Sequence, residues 1–160
     1  MIRFLATTVA LLAAVPAAAQ VMTPTEYIAT AGASDLYERQ SSALVLQSTT
    51  DPRIRAYAQE MIADHAKSTA DVKAAAARAR VAAPPPMLMP LQAELIAQLR
   101  AETGANRDAL YIAQQRASHN QALFVQQAYA ADGTAAPLRA AAAKIVPVVQ
   151  HHVAMLREAR

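Results

Sequence analysis

Every long alanine-rich stretch of this chain is bounded by proline or glycine, usually beside a residue suited to capping a helix, and this punctuation fixes where helices start and stop. Thr23-Pro24-Thr25-Glu26 is a capping box with proline at the first helical position, so Thr23 and Glu26 satisfy each other's otherwise orphaned N–H groups. Asp51-Pro52 repeats the device and opens a second helix. The first helix then runs to about residue 49, and the second to about residue 82, where Pro84-Pro85-Pro86 forbids continuation. A short helix is expected over residues 90–102, closed by Gly104 in the left-handed position a C-cap favours. A third long helix follows over residues 106–132 and ends at Gly133. Thr134 caps a fourth, which takes Pro137 in its first turn and reaches nearly to residue 160.

Composition closes the alternatives. Hydrophobic residues make up 54% of the chain but aromatic ones only 4%, so alanine and the aliphatics carry the apolar content, which argues against a β-rich domain. The absence of cysteine excludes a disulfide scaffold, a thiol nucleophile and any cysteine-ligated zinc or iron–sulfur site. Four long helices with short first and third connections, and a longer middle one bearing its own helical piece, predict an all-α up-down bundle with one crossover.

Residues 1–19 read as a secretory signal peptide: Arg3 supplies the positive start, residues 4–15 the apolar run, and Ala17-Ala18-Ala19 the small-residue cleavage site before Gln20. The expectation is a periplasmic protein cut after Ala19, with residues 20–160 as one domain. No later apolar run is long enough for a transmembrane segment, and no cysteine follows the signal to carry a lipid anchor. The formal charge of +3 falls by one with Arg3, and the remaining arginines are scattered among acids, which argues against nucleic acid as a partner. Lys67, Lys73, Arg78 and Arg80 read as a solvated face with some affinity for anionic envelope surfaces.

Helical periodicity puts polar side chains where a core is expected. In the second helix Ile54, Ala58, Met61, His65 and Val72 share a face. In the last, Leu138, Ala141, Ile145, Val148, His152 and Leu156 do. The third long helix aligns Tyr111 or Ile112 with Gln115, His119, Ala122 and Gln126, and the first aligns Ile28, Ala31, Asp35, Glu38, Ser42 and Val45. Counting from Pro52 and Gly133 puts Glu38 level with His65, and His119 near the level of His152. His65, His119, His152 and Glu38, with Asp35 beside them, therefore form a candidate ligand set for a transition-metal ion: zinc, iron, manganese or copper. The alternative is a structural network in which Glu38 and Tyr111 satisfy buried imidazoles. Asp64 points away from its neighbour His65 and suits a supporting or surface role. Asp108 and Tyr111 lie further along their helix, and His151 is expected to face solvent. Pro147 interrupts the last helix ahead of His152, where a kink is expected.

Residues 34–38 (SDLYE), 55–65 (RAYAQEMIADH), 108–119 (DALYIAQQRASH) and 138–152 (LRAAAAKIVPVVQHH) together resemble the DUF4142 family of exported bacterial proteins. The resemblance covers about residues 27–156 and implies a ferritin-like fold in the periplasm or cell envelope, with no settled activity. It places the family's recurrent positions at Glu38, Asp64 with His65, Asp108 with Tyr111, His119 and His152. Asp35, Asp64, Asp108 and Tyr111 would then support the ligands. Ser118 departs from the pattern, since the family often has Asp before its histidine.

Ferritin-like di-iron centres need a glutamate three residues before each ligating histidine, and here those positions hold Ile62, Arg116 and Val149. The bridging carboxylates are missing, so a mononuclear site is preferred. Met87-Leu88-Met89 reads as an apolar plug over one end of the bundle rather than a copper site. No nucleophile elbow, phosphate loop or His-Glu-x-x-His occurs, so nothing marks the chain as an enzyme. Two readings remain. One is an envelope protein that binds a metal ion or small ligand in its core, in envelope stress or metal handling. The other is a non-catalytic interaction module whose buried histidines specify packing.

Overall fold

A computed structural model of the chain describes residues 21–158, so the expected signal peptide and its cleavage site lie outside the described residues. The described chain is all-α: α1 spans Pro24–Val45, α2 Pro52–Ala79, α3 Pro90–Ala101, α4 Gly104–Asp132 and α5 Ala136–Glu158. None of these helices is long and apolar enough to cross a membrane.

The caps of α1 and α2 act as their sequence implies, whereas α5 begins at Ala136, one residue too late for Thr134 to be its N-cap. Thr23 Oγ1 accepts from the Glu26 backbone N–H at 3.2 Å, while Glu26 Oε2 accepts from the Thr23 N–H at 2.7 Å. Asp51 Oδ1 accepts from the Arg53 N–H at 2.8 Å behind Pro52. Two helix ends differ from expectation. α1 stops at Val45, because residues 46–48 turn away and bury Thr49, whose hydroxyl donates to Asp108 Oδ2 at 3.0 Å. α2 stops before the prolines, at Arg80, which adopts φ 57° while the Val81 N–H closes back on the Ala76 carbonyl at 3.0 Å. That left-handed cap usually falls to glycine, and an arginine in it costs about 1–2 kcal/mol. Gly104 has positive φ as anticipated, at 54°, where it opens α4.

Helices α1 and α2 pack side by side, as do α4 and α5, and contacts of α2 with α5 and of α1 with α4 complete the ring; α3 lies against α1 and α4. The core is layered along this bundle. One apolar layer contains Tyr27, Ala31, Val72, Ala76, Leu138, Ala142 and Val149, and another contains Val45, Tyr57, Met61, Tyr111 and Leu156. In each long helix the residues between those two layers are polar: Asp35 and Glu38 in α1, His65 in α2, Gln115 and His119 in α4, His152 in α5. The register of α5 needs one correction. Val149 is 2% exposed whereas Val148 is 38% exposed; both fit helical spacing between Ile145 and His152, and packing against α2 and α4 takes Val149 inside. α5 runs through Pro147 as one helix. Met87, at 79% exposure, is no plug over the bundle end; it projects from the crossover into solvent.

Candidate metal centre

α2, α4 and α5 each place one histidine at a common level of the core. The ring centroids of His65 and His119 lie 5.6 Å apart, those of His65 and His152 5.5 Å, and those of His119 and His152 5.2 Å. Their exposures are 5%, 0% and 1% in chain order. One ring nitrogen from each falls within 4.8 Å of the other two.

Hydrogen bonds to the outer nitrogens settle which nitrogens face inward. His119 Nδ1 lies 3.0 Å from the Gln115 carbonyl oxygen, which can only accept, so Nδ1 carries the proton and Nε2 of the neutral ring does not. His152 Nε2 lies 3.0 Å from Asp64 Oδ2, and His65 Nδ1 lies 2.9 Å from Asp35 Oδ1. By the same rule their other nitrogens, His152 Nδ1 and His65 Nε2, carry lone pairs in the neutral rings. The contact of 3.3 Å between His119 Nε2 and His152 Nδ1 therefore sets one lone pair against another, with no proton between neutral rings. His65 Nε2 is buried without a hydrogen-bond partner among the described residues. An unpaired buried acceptor is costly, and a cation relieves that cost.

The outer partners are themselves held. Asp35 also accepts from Thr69 Oγ1 at 3.0 Å, and the same hydroxyl sits 2.9 Å from the His65 carbonyl. Glu38, 1% exposed, takes hydrogen bonds from Gln115 Nε2 and, at 2.6 Å, from Ser118 Oγ. Ionisation follows these surroundings. Burial pushes the His119 pKa down, against the pull of Glu38. Burial also lowers His152, with the neighbouring imidazoles adding to it, to about 4 despite its hydrogen bond to Asp64. Burial opposes charge on His65 as well, yet the Asp35 hydrogen bond and the charges of Glu38, Asp35 and Asp64 raise its pKa above the ordinary histidine value. Two of the three rings are thus held neutral, the state in which imidazole binds metal.

Of the residues singled out from the sequence, the structure brings His65, His119 and His152 together. Asp35 and Asp64 sit directly behind two of them. Glu38 stands behind the third: its nearest approach to His119 is to Nδ1, at 3.7 Å, on the far side of the ring from the inward nitrogens. Asp108 and Tyr111 support no imidazole. Asp108 holds Thr49, and Tyr111 shares a hydrogen bond of 2.8 Å with Ser42 in the adjacent apolar layer, because both lie too far along α4. Arg116 turns its guanidinium to the Leu156 carbonyl, at 3.3 and 3.1 Å. Gln115 and Thr69 are further supports that no sequence motif marks. Their signal was spacing alone, since each stands four residues from a histidine and therefore on its face.

Neither a curated protein nor a solved structure matches the chain. The family described as Domain of unknown function (DUF4142) matches residues 10–159, nearly its whole length. With a match of that extent, the chain belongs to the DUF4142 family.

Proposed function

We propose that this is an exported, periplasmic protein of ferritin-like four-helix architecture that binds one transition-metal ion through His65, His119 and His152, in metal handling or envelope stress. The observation that carries the reading is the outward hydrogen bonding of all three rings, which leaves His65 Nε2, His119 Nε2 and His152 Nδ1 as acceptors for a common cation. Metal-binding histidines characteristically donate their other N–H to a carboxylate or carbonyl, which fixes the tautomer and raises ligand basicity. Three imidazoles suit zinc, copper, iron or nickel. The separation of 3.3 Å between His119 Nε2 and His152 Nδ1 matches the edge of about 3.3 Å expected between two nitrogens bound tetrahedrally to zinc at 2.0–2.1 Å, so Zn²⁺ is a suitable probe of the site. Glu38 enters this reading as a buried negative charge behind His119 rather than as a fourth ligand, together with Asp35 and Asp64 offsetting the charge of the ion.

Export is supported by the sequence of residues 1–19 and is tested by the intact mass of protein from the periplasmic fraction, expected to begin at Gln20. The metal reading is tested by isothermal titration calorimetry with Zn²⁺, Fe²⁺, Mn²⁺ and Cu²⁺ on the wild-type chain and the three His→Ala variants. One equivalent is expected in the wild type, with affinity lost in each variant. No heat that depends on these residues would leave the histidines as packing elements of an interaction module.

A further inference from the structure

The three-histidine layer is closed behind two of its rings and reaches solvent behind the third. His65 is backed by Asp35, 4% exposed, and His119 by the Gln115 carbonyl and Glu38, 1% exposed. His152 differs: it is buried at 1%, but the side chain of Asp64, to which its Nε2 donates, is 35% exposed. One helical turn earlier on α2 stands Glu60, 37% exposed at its side chain, with Oε1 3.3 Å from Nε2 of the exposed His151. One oxygen each of Glu60 and Asp64 and one ring nitrogen of His152 lie within 4.8 Å of one another. His152 thus belongs to two ligand groups at once: its Nδ1 faces His119 in the core, and its Nε2 faces the two carboxylates at the surface.

We propose that Glu60 and Asp64, with His151 beside them, form a capture site for divalent transition-metal ions and are the port through which the buried site is loaded. This rests on the three-histidine reading above. A hydrated divalent cation arriving from solvent first meets two carboxylates one turn apart, whose negative charge attracts it and whose oxygens replace part of its water. The adjacent imidazole of His151 binds transition metals better than Ca²⁺ or Mg²⁺, so the port also selects by ligand type. His152 is the wall between port and core, and the ion moves inward by exchanging oxygen ligands for the inward nitrogens. A port of this kind lowers the barrier in both directions without belonging to the final ligand set, so its loss changes rates and leaves equilibrium affinity in place.

Zn²⁺ exchange measured by stopped flow, with a chelating dye as reporter, tests this on the wild type, Glu60→Gln, Glu60→Lys and the control Asp71→Asn. Asp71 is an exposed carboxylate on the same helix, paired to Lys67 away from the histidines. Association and dissociation are expected to slow together, by about tenfold in Glu60→Gln and more in Glu60→Lys, with the Kd of Glu60→Gln within about twofold of wild type. Asp71→Asn should exchange at the wild-type rate. Unchanged rates in Glu60→Lys, or equal slowing in Asp71→Asn, would overturn the port while leaving the buried site standing. Loss of affinity in Glu60→Gln with dissociation unslowed would overturn it too, by making Glu60 a ligand or a general electrostatic contributor. No uptake by the wild type would overturn the three-histidine reading and the port with it.

Discussion

Buried tyrosines and buried histidines occupy neighbouring layers of the same bundle and are treated in opposite ways. Tyr27 donates to Gln126 Oε1 at 2.7 Å, Tyr37 to Gln114 Oε1 at 2.9 Å and Tyr57 to Gln115 Oε1 at 3.1 Å, while Tyr111 shares a proton with Ser42 at 2.8 Å. Each of these four hydroxyls has a neutral partner on another helix, which specifies packing, whereas the hydroxyl of the buried Tyr129, stacked on Tyr27, has no hydrogen-bond partner among the described residues. The histidine layer is also hydrogen-bonded, but only on its outer side. Asp35, Asp64 and the Gln115 carbonyl engage one nitrogen of each ring, and the remaining nitrogens meet one another. A core that pairs four of its five buried tyrosine hydroxyls across helices and leaves the inner nitrogens of all three imidazoles without donors has the geometry of a binding layer set between structural ones.

The largest effect tests the register on which both kinds of layer depend. Val149→Asp should prevent folding, since an unpaired carboxylate would enter the apolar layer at a cost above about 4 kcal/mol, whereas Val148→Asp on the exposed side should change stability by less than about 0.5 kcal/mol. Circular dichroism during urea unfolding decides it, and equal stability of the two variants would remove the layering. Next is the ligand itself. Zn²⁺ at 1,000 times its Kd should stabilise the wild type by about 4 kcal/mol, read as a rise in Tm, and His119→Ala should abolish that rise.

Acidification should separate the layers further, because the tyrosines do not titrate there. The His152 pKa is lowered in the fold to about 4, so its neutral form contributes stability that is fully present above the unfolded value near 6.5 and lost as pH falls toward 4. The loss is on the order of 3 kcal/mol without metal. His119, also lowered, acts in the same direction. His65 opposes them, since its raised pKa contributes stability below 6.5 that is lost as pH rises through its folded value. Urea midpoints between pH 4 and 8 should therefore fall toward acid, and His152→Ala should flatten the curve. The smallest effect comes from the paired tyrosines. Tyr27→Phe leaves Gln126 Oε1 without its donor and should cost about 1 kcal/mol while Zn²⁺ affinity stays unchanged, as calorimetry would show.

The helices and the histidine layer were legible because each rests on a local rule. Thr23, Asp51 and Gly104 announce helix boundaries through capping and backbone conformation, and His65, His119 and His152 fall into apolar stripes at helical spacing. What escaped depends on neighbours distant in the chain. Val148 and Val149 are equally apolar and adjacent, so the strand of core they join is set by packing against α2 and α4. Glu38 was read as a ligand from its height in the bundle. Height says nothing of which side of His119 a carboxylate takes, and Gln115 and Ser118 draw it to the outer side. Arg80 as a left-handed cap has no sequence signal, since composition there favours helix up to the prolines.

X-ray absorption of the Zn²⁺-loaded wild-type protein tests the central claim most directly, because it counts the atoms around the ion. Three imidazole nitrogens at 2.0–2.1 Å are expected, falling to two in His65→Ala if the variant retains the ion. A first shell made of oxygens, or an imidazole count unaffected by loss of His65, His119 or His152, would contradict the account.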